Sequence, residues 1–336
     1  MTWLTYAARR LAFAALSLVA VVTLTFLVVK AAPNTDLNAL VATLQRNGAT
    51  EAEIEAAVDQ YRAQRGLTGS LADQYLRFVA GALTLDFGLS AELGRPVGDV
   101  LAEAVPRTLA YTVPAVVVAY AVGVAGGLAS AYAGRNVDWG VRIAAYAGLG
   151  VTSVVVGIAL VTYGPVDVGG AAAGPIWENA PFVSRLGGAS FFGTEPWRAV
   201  SPKYVWPAAV LAVGLVAGLL RHTRSAALSY CQSDAAKTLT AKGASPVASA
   251  RHAVRNAALP LLSVSLAELL SVLALGTFVV ESVFRIPGLA AYTMVGVFTR
   301  DYQLVVGTTF VFGVVGVGGS LLQDLLYAYL DPRTDD

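Results

Sequence analysis

The sequence is poor in charge. Asp, Glu, Lys and Arg make up 13% of its 336 residues, about half the share usual in soluble domains, while 56% are hydrophobic. A single cysteine, Cys231, excludes an intrachain disulfide and has no companion with which to build a metal site. The two histidines, His222 and His252, have no supporting Cys or carboxylate pattern, which argues against zinc or haem ligation. No G-x-x-x-x-G-K-[ST] occurs, so the chain has no phosphate-cradling loop of its own. No nucleophile–base constellation is visible, and a net charge of +1 without a basic tract leaves no footprint for nucleic acid. An enzyme reading is therefore poor, and energy for active work must come from another subunit.

What is present is defined by where charge is missing. Uncharged stretches run over 11–29, 108–134, 143–166, 204–220 and 302–323, and 256–280 is interrupted only by Glu268. Roughly 20 apolar residues span the hydrocarbon core as a helix, and the bilayer offers the backbone no water. The expected fold is an all-α membrane protein of six transmembrane helices. Arg9-Arg10 ahead of an apolar run also fits a signal peptide. Its 19-residue uncharged run exceeds the usual h-region of roughly 7–15, so a retained first helix is expected.

Lys and Arg near the helix ends set the orientation. With a cytoplasmic N-terminus, the inside segments carry eleven basic residues against six acidic ones, and the longer outside segments twelve against fifteen. Both termini are expected in the cytoplasm, with the chain multi-pass in the membrane. Tyr204 and Trp206 fit an interfacial aromatic belt at the outer end of the fourth span.

Three regions follow: 1–32 with the first span, an external helical segment at 33–105, and a five-helix core at 106–336. In the external segment Thr50 and Glu53 have capping-box spacing, and Ile54, Val58 and Tyr61 then share one helical face up to a stop at Gly66. A second amphipathic helix is expected after Ser70, with Leu71, Tyr75, Phe78 and Val79 apolar. Between the fourth and fifth spans lies a basic stretch, 221–257, longer than two adjacent helices require. It opposes Arg221, Arg224, Lys237, Lys242, Arg251 and Arg255 to a single acid, Asp234. Its length suits a docking element, and its charge also suits plain topology signalling.

That stretch carries a resemblance. Arg221-His-Thr-Arg-Ser, then Asp234 to Ala244, then His252-Ala-Val-Arg255-Asn256 to Pro260 resembles the cytoplasmic loop of permeases of the oligopeptide/dipeptide/nickel ABC-importer family. Glu281-Ser-Val-Phe284-Arg-Ile-Pro287-Gly288-Leu289 resembles the family's E-T-x-F-x-x-P-G-L, and Asp86-Phe87-Gly88-Leu89-Ser90 and Arg300-Asp301-Tyr302 also fit. The ends of the chain resemble the first of the two sibling permeases of such systems. Departures fall at Ala235, Leu239 and Thr240 in the loop, at Thr152 and Val154 in the third span, and at Ala32-Pro33-Asn34-Thr35-Asp36.

The resemblance implies the type I importer permease fold and a channel-forming, non-catalytic subunit. It implies a coupling helix seated on a cytoplasmic ATPase, with Asp234, Thr238, Ala241, Lys242, Gly243, Ala244 and Arg255 as the coupling residues. ATP and magnesium would be used by that partner, with no cofactor in this chain. The other partners implied are a second permease subunit in a heterodimer, an extracytoplasmic solute-binding protein and the lipid bilayer. Gly243 lacks a Cβ, which permits close backbone approach and equally suits a helix end. Oligopeptides or dipeptides lead the implied substrates, and the family also carries nickel complexes and some sugars. The alternative is an ion-coupled secondary transporter or channel using Glu268, an acid inside a spanning run and hence a candidate for the translocation path.

Overall fold

The computed structural model describes residues 3–31, 35–64, 68–150, 153–163, 202–245, 248–253, 270 and 274–330. The named elements among them are helices: α1 (Trp3–Ala31), α2 (Thr35–Arg46), α3 (Glu51–Gln64), α4 (Leu71–Thr84), α5 (Val97–Tyr132), α6 (Arg135–Gly150), α7 (Ser153–Tyr163), α8 (Pro202–Cys231), α9 (Asp234–Ala241), α10 (Ala274–Phe284), α11 (Leu289–Thr299) and α12 (Tyr302–Leu330). The chain is all-α, with one isolated antiparallel bridge between Leu89 and Pro96.

Among the described residues, four helices, α1, α5, α8 and α12, are long and apolar enough to cross a membrane. The bent pairs α6–α7 and α10–α11 bring the number to six if each is one crossing. The α10–α11 bend is 83°; residues 151–152, between α6 and α7, lie outside the described residues. Helix α11 was not expected from the sequence. The beginning of the expected fifth span, with Glu268, lies outside the described residues.

The long helices run past the charge-free stretches they contain, α5 and α8 furthest. Helix α5 starts at Val97 rather than near 108 and carries Pro106 and Pro114 inside it. Helix α8 continues past Arg221 to Cys231. Charges limit how much of a helix sits in hydrocarbon; they do not stop the backbone ladder. At the start of α5, Arg107 pairs with Glu103 one turn earlier at 3.4 Å.

The chain divides into two compact units. One holds Phe13–Ala102 and Thr293–Val314, the other Met1–Ala12, Glu103–Tyr292 and Val315–Asp336. In the first, α3 opens on the expected capping box: the Thr50 amide donates to Glu53 at 2.8 Å and the Glu53 amide to the Thr50 hydroxyl at 3.4 Å. Ser70 and Asp73 cap α4 in the same reciprocal way. Its apolar face lies on α1, where Tyr75 and Phe78 meet the Phe26 ring edge-on at 5.5 and 5.2 Å. Buried Asp301 fastens the chain ahead of α5 to the start of α12. Its carboxylate accepts from the Ser90 hydroxyl at 2.5 Å and from the amides of Glu92 and Leu304 at 3.0 and 3.1 Å.

In the second unit the core gathers Tyr111 and Ala115 of α5, Leu211 and Leu215 of α8, and Val280 and Phe284 of α10. Backbones come close here. A Cβ at Gly148 of α6 would stand 2.8 Å from Ala217 of α8. Near the chain ends, Arg10 of α1 pairs with Asp324 of α12 at 2.9 Å, and the Tyr6 hydroxyl donates to the Asp324 carbonyl at 3.3 Å.

Candidate functional site

The stretch read from the sequence as a long basic loop is mostly helical. After α8 ends, Ser233 caps α9: its hydroxyl accepts the Ala236 amide at 3.2 Å and donates to the Tyr230 carbonyl at 2.6 Å. Asp234 lies in the first turn, where a carboxylate complements the helix dipole. It pairs with Lys237 of the same helix at 2.8 Å, and both are well exposed, so the pair adds little to stability.

The other end of α9 is closed by a Schellman arrangement. The Gly243 amide donates to the Thr240 carbonyl at 2.9 Å and the Ala244 amide to the Leu239 carbonyl at 3.2 Å. Gly243 has φ of +77°, a left-handed conformation that costs other residues about 1–2 kcal/mol. Among the described residues a Cβ there would meet nothing within 4 Å. Among them, then, glycine is demanded by the turn and not by crowding.

Burial divides α9 into two faces. Ala236 is buried with Tyr230 of α8, Ala253 of the helical stretch 248–253, and Tyr132, the last residue of α5. Asp234, Lys237, Thr238, Ala241, Lys242 and Gly243 are exposed, and Ala244 is half-buried. The structure thus brings six of the seven expected coupling residues onto one short capped helix and its exit turn. Arg255 lies outside the described residues. The helix is held from behind and bare in front, an arrangement suited to bearing on a partner surface.

A second polar centre went unnoticed in the sequence. Glu281, in α10, is fully buried. One carboxylate oxygen accepts from the Thr108 hydroxyl at 2.6 Å and the Tyr111 hydroxyl at 2.9 Å; the other accepts from the Ala291 amide at 2.8 Å. Thr108 in turn accepts the Leu289 amide at 2.8 Å. These are first-turn amides of α11, which otherwise lack helical partners. Gly288 lies against the carboxylate so closely that a Cβ would sit 2.2 Å from Oε1. The stretch Glu281 to Leu289 is therefore an elbow: a helix end, a left-handed Arg285 with φ of +53°, and a new helix capped by the acid of the old one. The only signal for it was the motif itself. Glu281 ends an uncharged run, so nothing about its position announced burial.

The chain matches the family described as binding-protein-dependent transport system inner membrane component over residues 123–336. It is 29% identical to the dipeptide transport system permease protein DppB of Bacillus subtilis, covering 98% of this chain and 97% of the relative. With the oligopeptide transport system permease protein AppB of the same organism it shares 28% identity, over 98% of this chain and 99% of the relative. A Brucella suis protein named for a peptide transport system permease is 31% identical, over 97% of each chain. Apolar helices in number, the motifs along the chain and this match converge: the chain belongs to the binding-protein-dependent transport system inner membrane component family, as a multi-pass, non-catalytic permease subunit of an ABC importer.

Proposed function

We propose that this permease subunit passes peptides and is driven by a cytoplasmic ATPase docked on the exposed face of α9 and its exit turn, Asp234 to Ala244. Peptides are the cargo named for its relatives. The observation that carries the docking surface is the two-faced α9: capped at both ends, packed behind through Ala236, and unopposed around Lys242 and Gly243. A solute-binding protein delivers the peptide outside, and a sibling permease completes the channel. Both termini lie in the cytoplasm. The Arg10–Asp324 pair supports this, because it brings the start of α1 and the end of α12 together and so onto one face of the membrane. The segment 33–105 forms the external cap, and Arg255 acts with α9. Glu268 is a candidate for the translocation path, while no observation favours an ion-coupled mechanism through it.

The test is Gly243→Trp. It places a bulky side chain in the open space in front of α9, far from any spanning run. Membrane insertion should persist, while ATPase copurification and peptide uptake fall together. Normal copurification and uptake in a well-inserted variant would overturn the docking site.

A further inference from the structure

A polar knot stands just behind the coupling helix. Arg224 of α8 lies two turns before Cys231 and half-buried. Its Nε donates to Asp138 Oδ1 at 2.6 Å and its Nη2 to Asp138 Oδ2 at 3.1 Å. Asp138 belongs to the first turn of α6. Ser130, near the end of α5, donates its hydroxyl to the same carboxylate and accepts from Arg224 Nε at 3.1 Å. Arg142 closes on Asp138 from within α6 at 3.3 Å. Three helices therefore meet on one carboxylate, with the two-pronged geometry that only a guanidinium supplies.

Next to the knot, α5 and α8 touch backbone to backbone. A Cβ on Gly123 would stand 2.4 Å from Leu219 Cβ, one on Gly126 2.6 Å from Leu220 Cδ2, and one on Gly127 2.5 Å from Thr223 Cβ and 2.9 Å from the Arg224 amide nitrogen. Such contacts have no slack, and packed interfaces of this density shift as blocks, not continuously. On the other side of the knot, Tyr132 closes α5 against the Tyr230 and Ala236 pair.

We infer that the Asp138–Arg224–Ser130 knot is the positioning device that makes α9 and the α5–α6 turn one lever, so that displacement of α9 by the ATPase is passed to two spanning helices at once. Arg224 and Asp138 act by fixing the angle between the helix that carries α9 and the helices that must move. The inference rests on the docking of the ATPase at α9. Nothing in the resemblance of the loop required it, because Asp138 lies outside that loop.

The experiment uses the whole transporter, with binding protein and ATPase, in proteoliposomes. Asp138→Asn keeps the shape of the side chain and removes its charge; Arg224→Lys keeps the charge and removes the fork. Each should copurify the ATPase like the parent, while peptide taken up per ATP hydrolysed falls roughly five- to tenfold, the scale of a site-to-site coupling. Asp138→Glu should recover part of the loss. A merely structural role would lower the amount of assembled transporter and leave that ratio unchanged in what survives. An unchanged ratio in both variants overturns the lever. The docking reading fails separately, through normal ATPase copurification by Gly243→Trp.

Discussion

Thr108 and Glu281, 173 residues apart in the chain, share a hydrogen bond of 2.6 Å in which the hydroxyl donates to a carboxylate buried from solvent. Through it α5 is tied to the elbow that turns α10 into α11. The buried carboxyl is tolerated because the Thr108 and Tyr111 hydroxyls and the Ala291 amide fill its lone pairs; stripped of them it would be costly to bury.

Glu281→Ala should be among the most damaging single substitutions in the chain. It leaves the Thr108 and Tyr111 hydroxyls and the Ala291 amide without that acceptor, at about 1–3 kcal/mol for each buried group. Glu281→Gln, which keeps one carbonyl for the Ala291 amide, should be milder. Gly288→Ala should resemble the first, since its methyl group has no room. Melting of the detergent-solubilised protein checks the ranking, and equal midpoints for Gln and Ala would contradict it.

The orientation is read by cysteine labelling in a Cys231→Ala background. Lys242→Cys should react with an impermeant maleimide only in inside-out vesicles, and Glu55→Cys, on the exposed side of α3, only in right-side-out ones. Labelling of position 242 from outside would invert the topology.

Acid should loosen α3 and α4 first. The Ser70 hydroxyl and amide hold the Asp73 carboxyl below the usual carboxylate range, and the Thr50 amide and hydroxyl do the same for Glu53. A depressed folded value means stability that is complete above the ordinary carboxylate pKa of about 4 and lost as pH falls through the folded one. Amide exchange in α3 and α4, corrected for intrinsic rate, should thus be level from pH 7 to about 5 and faster below about 4. Ser70→Ala and Thr50→Ala should remove most of that dependence. A dependence that survives both changes would assign it to other groups.

Much of this architecture was legible in the sequence, for a physical reason: hydrocarbon excludes charge, so spans announce themselves as gaps between charged residues. The Thr50–Glu53 cap was legible because a capping box is local. Helix ends were not, since Arg221 marks the edge of the lipid while the α8 ladder runs on to Cys231. The elbow was hidden for a different reason. In the sequence Glu281 closes an uncharged run, and only the return of α11 toward it, with Thr108 and Tyr111 arriving from α5, makes it an interior residue. The Asp138–Arg224 pair was equally invisible: its partners are 86 residues apart, and each could have been counted as a topology charge.

The glycine face of α5 reaches into biogenesis. Helices α5 and α8 leave the insertion machinery each sheathed in lipid, and lipid tails are as apolar as leucine, so no hydrophobic gain remains to drive them together. What closes the pair is close contact that a methyl group would hold apart, as at Gly127 against the Arg224 amide nitrogen. Threading into the bilayer and assembly within it are therefore separate events for this chain. A newly made copy that lost one of these glycines would cross the membrane as usual and then linger unpaired, a substrate for the proteases that clear orphaned membrane proteins.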